Sequence, residues 1–153
     1  MAFKISGSIK GAKKLFKQID SLEREMKAGP IKAVQDSIFL LHKTAVELIQ
    51  DNSSGTPQIR WSNGRPRNVL ASKPGQPPNT DTGRLVQSIK FDFMNKGLVG
   101  RVGTNLKYGA WLEFGTANMA PRPWLSTALK MIEKDVADIF KKSVRESISG
   151  AVK

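Results

Sequence analysis

The one imidazole in the chain, His42, is the side chain whose ordinary pKa best suits it to carry protons near neutral pH. It lies inside the most apolar stretch of the sequence, between Leu41 and Lys43, with no neighbouring pattern of serine and aspartate that would make it part of a nucleophilic triad. That setting reads as a structural histidine. Cysteine is absent, which excludes a thiolate nucleophile, a disulfide framework and a thiolate metal cluster. Among the carboxylates, Asp36 and Glu47 stand eleven residues apart, and Glu133, Asp135 and Asp138 alternate with lysines as on a solvated helix face. The glycines from Gly97 to Gly103 fall in a strand hairpin and lack the following helix and Lys-Ser or Lys-Thr pair of a phosphate loop. The reading is a protein that is not an enzyme, with no metal and no cofactor.

Residues suited to binding are more abundant. The chain carries 25 Lys plus Arg against 13 Asp plus Glu, a formal charge of +12. Such an excess raises nucleic acid as a partner, because cations displace counterions from phosphates. The charge is spread, with mild peaks in the first helix and in the central loop. There Arg60, Trp61, Arg65, Arg67 and Lys73 make a basic, aromatic-bearing segment able to grip a phosphate backbone and stack a base. A second concentration is aromatic: Tyr108, Trp111, Phe114 and Trp124 crowd around Gly115-Thr116 and the rigid Pro121-Arg122-Pro123. Aromatic and arginine side chains anchor interfaces, and proline pre-orders a loop so that less entropy is lost on docking. The same rings could seal a sheet against the last helix, with Tyr108, Phe114 and Trp124 inward and Arg122 outward.

These residues need elements to hold them. With 153 residues the expectation is one domain, 1–153, with a self-supporting core. Phe3 and Ile5 alternate with Lys4 and Ser6 as in a short edge strand. Leu15, Ile19, Leu22 and Met26 share one face of a helix over 12–27, which Gly29-Pro30 is expected to stop. A second, more deeply buried helix follows to about Gln50, with Ile31, Val34, Ile38, Leu41, Ala45 and Leu48 as its stripe. Residues 51–80 hold five of the eight prolines and read as a long flexible loop, with Asn63-Gly64 nucleating a small hairpin at its tip. Ile89, Phe91 and Phe93 then alternate, turn at Asn95-Lys96-Gly97 and return through Gly100 and Val102 as a hairpin. Tyr108 to Phe114 is ambiguous between a helical turn and a strand. A last amphipathic helix runs from Leu125 to about Ser149, and docking some six apolar side chains at about 1.5–3 kcal/mol each makes it a principal source of stability. The class is α+β, helices packed on one face of a small antiparallel sheet. No apolar run approaches the ~20 residues of a membrane span and the N-terminus has no apolar signal core, so no membrane contact is expected and the product should stay in the cytoplasm.

Read together, Thr82-Gly83-Arg84-Leu85 with Ser88-Ile89, Tyr108-Gly109-Ala110 running into Glu113-Phe114-Gly115-Thr116, and Pro121-Arg122-Pro123-Trp124-Leu125 resemble the neck or tail-completion family of long-tailed bacteriophages and prophages. Its members are also described as minor tail or head-tail joining proteins. The chain departs from the family pattern in its central loop, richer in Pro and Arg. The resemblance implies a non-enzymatic virion part, built in the host cytoplasm, of which several copies, six in the expected ring, join the head connector to the tail tube; proximity to DNA is left open. It also implies that Tyr108, Glu113, Phe114, Gly115 and Thr116 fix the turn into the Arg-Pro segment, with Trp111 among the motif residues that offer contacts. Gly115 would hold a backbone geometry closed to other residues, and Glu113 would accept a hydrogen bond from Thr116, backbone amides or a neighbouring Arg. The alternative function is a basic nucleic-acid-binding module using the central loop and first helix.

Overall fold

The computed structural model describes residues 12–52 and 54–151; the strand expected at Phe3 and Ile5 lies outside them. The fold is α+β. Helix α1 (Ala12–Gln50) is followed by strands β1 (Thr56–Ser62) and β2 (Arg65–Ala71), a short helix α2 (Arg84–Ser88), strands β3 (Ile89–Met94) and β4 (Val99–Thr104), helix α3 (Lys107–Phe114) and helix α4 (Leu125–Ala151). The strands make two separate two-stranded antiparallel sheets, β1-β2 and β3-β4.

The largest departure from expectation is α1, one continuous helix of 39 residues that runs through Gly29-Pro30 without stopping. Pro30 removes one intrahelical hydrogen bond and crowds the carbonyl four residues back, a cost of about 3 kcal/mol that tertiary packing must offset. The packing is visible at Gly29. A Cβ built there would lie 2.0 Å from Ser147 Oγ and 2.9 Å from the Ser143 carbonyl oxygen on α4. The glycine that would end an isolated helix is here the point where two helices touch backbone to backbone. Its partner Ser143 is buried.

Helices α1 and α4 run antiparallel, since Gly29 meets Ser143 and Ser147 while Ala45 and Ile49 meet Trp124 and Ala128. Ala33, Ala45 and Ala128 are wholly excluded from solvent, small side chains that let the two helices approach. Around this seam Ala45, Ile49, Leu85, Ile89, Trp124 and Ala128 form the core, with Leu41, Val102, Tyr108 and Leu112 packed against it.

Both expected hairpins are present. β3 and β4 pair from Ile89↔Thr104 to Met94↔Val99, which puts Phe91 opposite Val102 and Phe93 opposite Gly100, on the side facing α1. The Asn63-Gly64 turn has φ of 52° and 72°, the left-handed pair that a two-residue hairpin loop requires. Its strands are longer than a tip hairpin, seven residues each, paired from Thr56↔Ala71 to Ser62↔Arg65. Both strands of a two-stranded ribbon are edges, so Pro57 and Pro66 fit without breaking an interior ladder. No helix among the described residues is long and apolar enough to cross a membrane.

Candidate interaction site

The three motif stretches, far apart in sequence, meet at one buried seam. α2 begins after Gly83, at φ 74°, and its Leu85 enters the core. Ser88 Oγ donates to the Leu85 carbonyl (2.7 Å) and sits 2.5 Å from Thr104 Oγ1, which in turn accepts the Leu106 amide (3.1 Å). One serine hydroxyl thus ties α2 to the end of β4 and the start of α3. Gly109 on α3 faces the same point; a Cβ there would meet Thr104 Cγ2 at 2.5 Å. The Gly109 carbonyl accepts Nε1–H of Trp124 at 3.1 Å, which satisfies the polar atom of a ring only 2% exposed.

Glu113 joins α3 to α4. Its Oε2 accepts the backbone amides of Trp124 (2.8 Å) and Leu125 (2.9 Å), and Oε1 accepts that of Ser126 (3.0 Å). Of the partners open to it, backbone amides are the ones it takes, and they are the free donors of the α4 N-terminus. Burial by itself would raise this carboxyl. The Ser126 side chain and the amides of Leu125, Trp124 and Ser126 outweigh that and hold it below the ordinary glutamate value.

Gly115 closes α3 at φ 77°, ψ −179°, with its amide on the Trp111 carbonyl (2.8 Å). A Cβ there would lie 2.8 Å from the Met119 carbonyl oxygen, so both the angle and the space favour glycine, as expected. Thr116 and Met119 exchange backbone hydrogen bonds across the turn, and the Arg122 amide returns to the Leu112 carbonyl (2.6 Å).

Two orientations expected from sequence are corrected. Phe114 points outward, 82% exposed. On a helix of this length Tyr108, Gly109, Leu112 and Glu113 occupy the inner side, which leaves Trp111 and Phe114 on the opposite one. Trp111 is likewise exposed. Arg122, expected outward, is half-buried and donates Nε–H to the Ser72 carbonyl at 3.1 Å, while the Pro121 carbonyl accepts the Gly75 amide at 2.8 Å. The Arg-Pro segment therefore anchors the base of the β1-β2 ribbon. Thr82, Thr116 and Pro121 stay exposed and Pro123 is half-buried, its carbonyl accepting Thr127 Oγ1–H at 3.0 Å.

Between ribbon and body lies a cleft of about 440 Å³, lined in part by Arg60, Asp81, Thr82, Tyr108, Leu112 and Arg122. Asp81 is the one acid of that lining, against Arg60, Arg84 and Arg122. It pairs with Arg60 (3.2 Å) and Arg67 (3.5 Å), and its carbonyl accepts Arg67 Nη2–H at 3.3 Å. Sequence reading missed this clamp, although the signal was there. The Asn63-Gly64 turn fixes a register that sets Arg60 opposite Arg67, and two like charges directly opposed call for an anion. Arg65 and Lys73 make no ion pair among the described residues, and Trp61 is 73% exposed.

His42 lies with Nε2 3.2 Å from the Ile89 carbonyl oxygen and its ring edge-on to Phe91, centroids 5.3 Å apart. Among the described residues no three His, Asp or Glu side chains gather in a way that could hold a metal ion. No protein-family model, curated protein or solved structure matches the chain.

Proposed function

We propose that this chain is a structural assembly protein of the head-tail junction of a long-tailed bacteriophage, working as a ring of copies between connector and tail tube. One observation carries the reading. The three stretches that resemble the neck family, 82–89, 108–116 and 121–125, are held against one another by Ser88, Gly109, Glu113 and Trp124. The same seam carries a projecting ribbon and an outward aromatic pair, Trp111 and Phe114. Such an arrangement offers surfaces rather than a reaction centre, and unpaired ribbon edges are the usual place for a neighbouring subunit to attach. Disruption of the gene in its phage should yield filled heads and separate tails by electron microscopy. Intact tailed particles in the disruptant overturn the proposal.

A second reading, binding of nucleic acid, is favoured by the shape of the ribbon, since the major groove admits a two-stranded β-ribbon. Against it, two of the three ribbon arginines, Arg60 and Arg67, are turned to Asp81, which offsets one of their two charges. Salt separates the readings: affinity for duplex DNA must fall steeply with ionic strength if several phosphates are neutralised.

A further inference from the structure

We infer that the cleft between the β1-β2 ribbon and the body binds a short acidic peptide segment of a partner protein, its carboxylates on Arg84 and Arg122 and a backbone N–H on Asn79. The inference goes beyond the head-tail reading and does not depend on it. The cleft lining holds Arg60, Arg84 and Arg122 against Asp81 alone, and Asp81 is already shared by Arg60 and Arg67. Arg84 is exposed and enters no ion pair among the described residues. Arg122 enters none either. Its Nε–H on the Ser72 carbonyl (3.1 Å) holds the guanidinium in place and leaves both Nη groups without a partner among the described residues. A cleft lined by one sign of charge focuses its field on whatever enters. The planar guanidinium is matched by a carboxylate through two parallel hydrogen bonds.

The other polar groups narrow the ligand. Ser72, 7% exposed, and Tyr108 also line the cleft, and their hydroxyls have no hydrogen-bond partner among the described residues, so both can donate to an anion. Asn79 asks for the opposite. Its Nδ2 spends both hydrogens on the carbonyls of Ser54 (2.8 Å) and Leu70 (2.9 Å), which fixes the orientation of the amide. Oδ1 is left as the one buried side-chain polar atom without a partner among the described residues, an acceptor short of a donor. A nucleic-acid backbone brings phosphate acceptors and no N–H, whereas a peptide brings an N–H at every residue but proline. Val69, Leu85 and Leu112 add an apolar wall for an aliphatic side chain between the acids. The volume, about 440 Å³, is that of a small-ligand cleft, with room for a few residues and not for a duplex.

The occupant is a different protein. No two of the 13 Asp and Glu in this chain are adjacent in sequence, and Glu133 and Asp135 flank Lys134, so the chain offers no acidic segment of its own. A partner of opposite charge is also what a molecule of formal charge +12 draws in from a distance.

Calorimetric titration of the full chain with the peptide acetyl-Glu-Leu-Glu-amide tests this. Binding is expected, and it should weaken as salt is added. Arg84→Gln, a change to an exposed side chain with no ion pair to lose, should weaken it by about tenfold or more. Arg145→Gln removes the same charge about 30 Å along α4 from Leu125 and should change nothing. The Gln-Leu-Gln counterpart should not bind, and glutarate, a dicarboxylate with no N–H, should bind about tenfold more weakly than the peptide or worse. Amide resonances that move on titration should cluster at Ser72, at 79–85 and at Arg122. Equal binding of glutarate or of the Gln-Leu-Gln peptide, equal losses in Arg84→Gln and Arg145→Gln, tighter binding of a single-stranded oligonucleotide at the same residues, or no binding at all overturns the inference.

Discussion

Gly115 and Glu113 sit two residues apart, and each fixes one end of the turn that carries α3 into α4. At Gly115 a side chain would meet both a left-handed backbone and the Met119 carbonyl. Gly115→Val is expected to leave little soluble protein; ordinary expression with an unchanged melting temperature contradicts the assignment. Glu113→Gln keeps the shape but loses the charge that answers three amides at the start of α4. A loss of about 1–2 kcal/mol by chemical denaturation is expected near neutral pH. The pH dependence has a definite sign. The folded carboxyl titrates below the usual 4.5, so its contribution is complete above that value and is lost as pH falls through the lower folded pKa. The difference between wild type and Glu113→Gln should therefore shrink in acid. From sequence Glu113 had Thr116, backbone amides or a neighbouring Arg open to it, and that its partners are the first amides of α4 depends on how the chain returns from Gly115 to Trp124. The direction of Phe114 was not legible either, because hydrophobicity marks a ring for burial while helical phase alone decides which side it takes.

At the scale of elements, two hairpins, the last helix and the turn residues between them follow from periodicity and turn chemistry. Asn63-Gly64 and Asn95-Lys96-Gly97 work through local backbone angles that no distant contact needs to supply. Gly29-Pro30 is the opposite case. Locally it reads as a stop, and only the α4 backbone lying against it explains why the helix continues. Gly29→Ala separates the two views. On an exposed helix the change would stabilise by about 1 kcal/mol; here the new methyl collides with Ser143 and Ser147, and thermal unfolding should show a lower melting temperature. The Asp81 clamp was missed for a related reason: the ribbon register was available, but which acid would lie beneath it depends on how the chain returns from Ala71 to Arg84.

For the whole molecule, a charge of +12 sets copies of the chain against one another at long range, while the exposed rings of the proposed assembly surface, Trp111 and Phe114, act at short range. Salt screens the first and leaves the second. Self-association followed by sedimentation should therefore strengthen from low to high ionic strength, opposite in sign to any binding of DNA. The overall class was readable because alternation and helical stripes are properties of segments. The separation into two sheets and the meeting of three distant motifs are properties of the packed chain.

The uninterrupted α1 has a mechanical consequence. At 1.5 Å per residue it is a rod about 58 Å long. Its C-terminal end is clamped in the core through Ala45 and Ile49, and its opposite end, with Phe16 and Ile19 open to solvent, reaches past the last turn of α4. Because α1 is also held against α4 at Gly29, the free arm is the stretch before it, about 25 Å, and a tilt of about 5° moves its tip by about 2 Å. In the ring proposed above, this outer arm, with Phe16 and Ile19 exposed, is the part of the helix left for a neighbouring copy to engage.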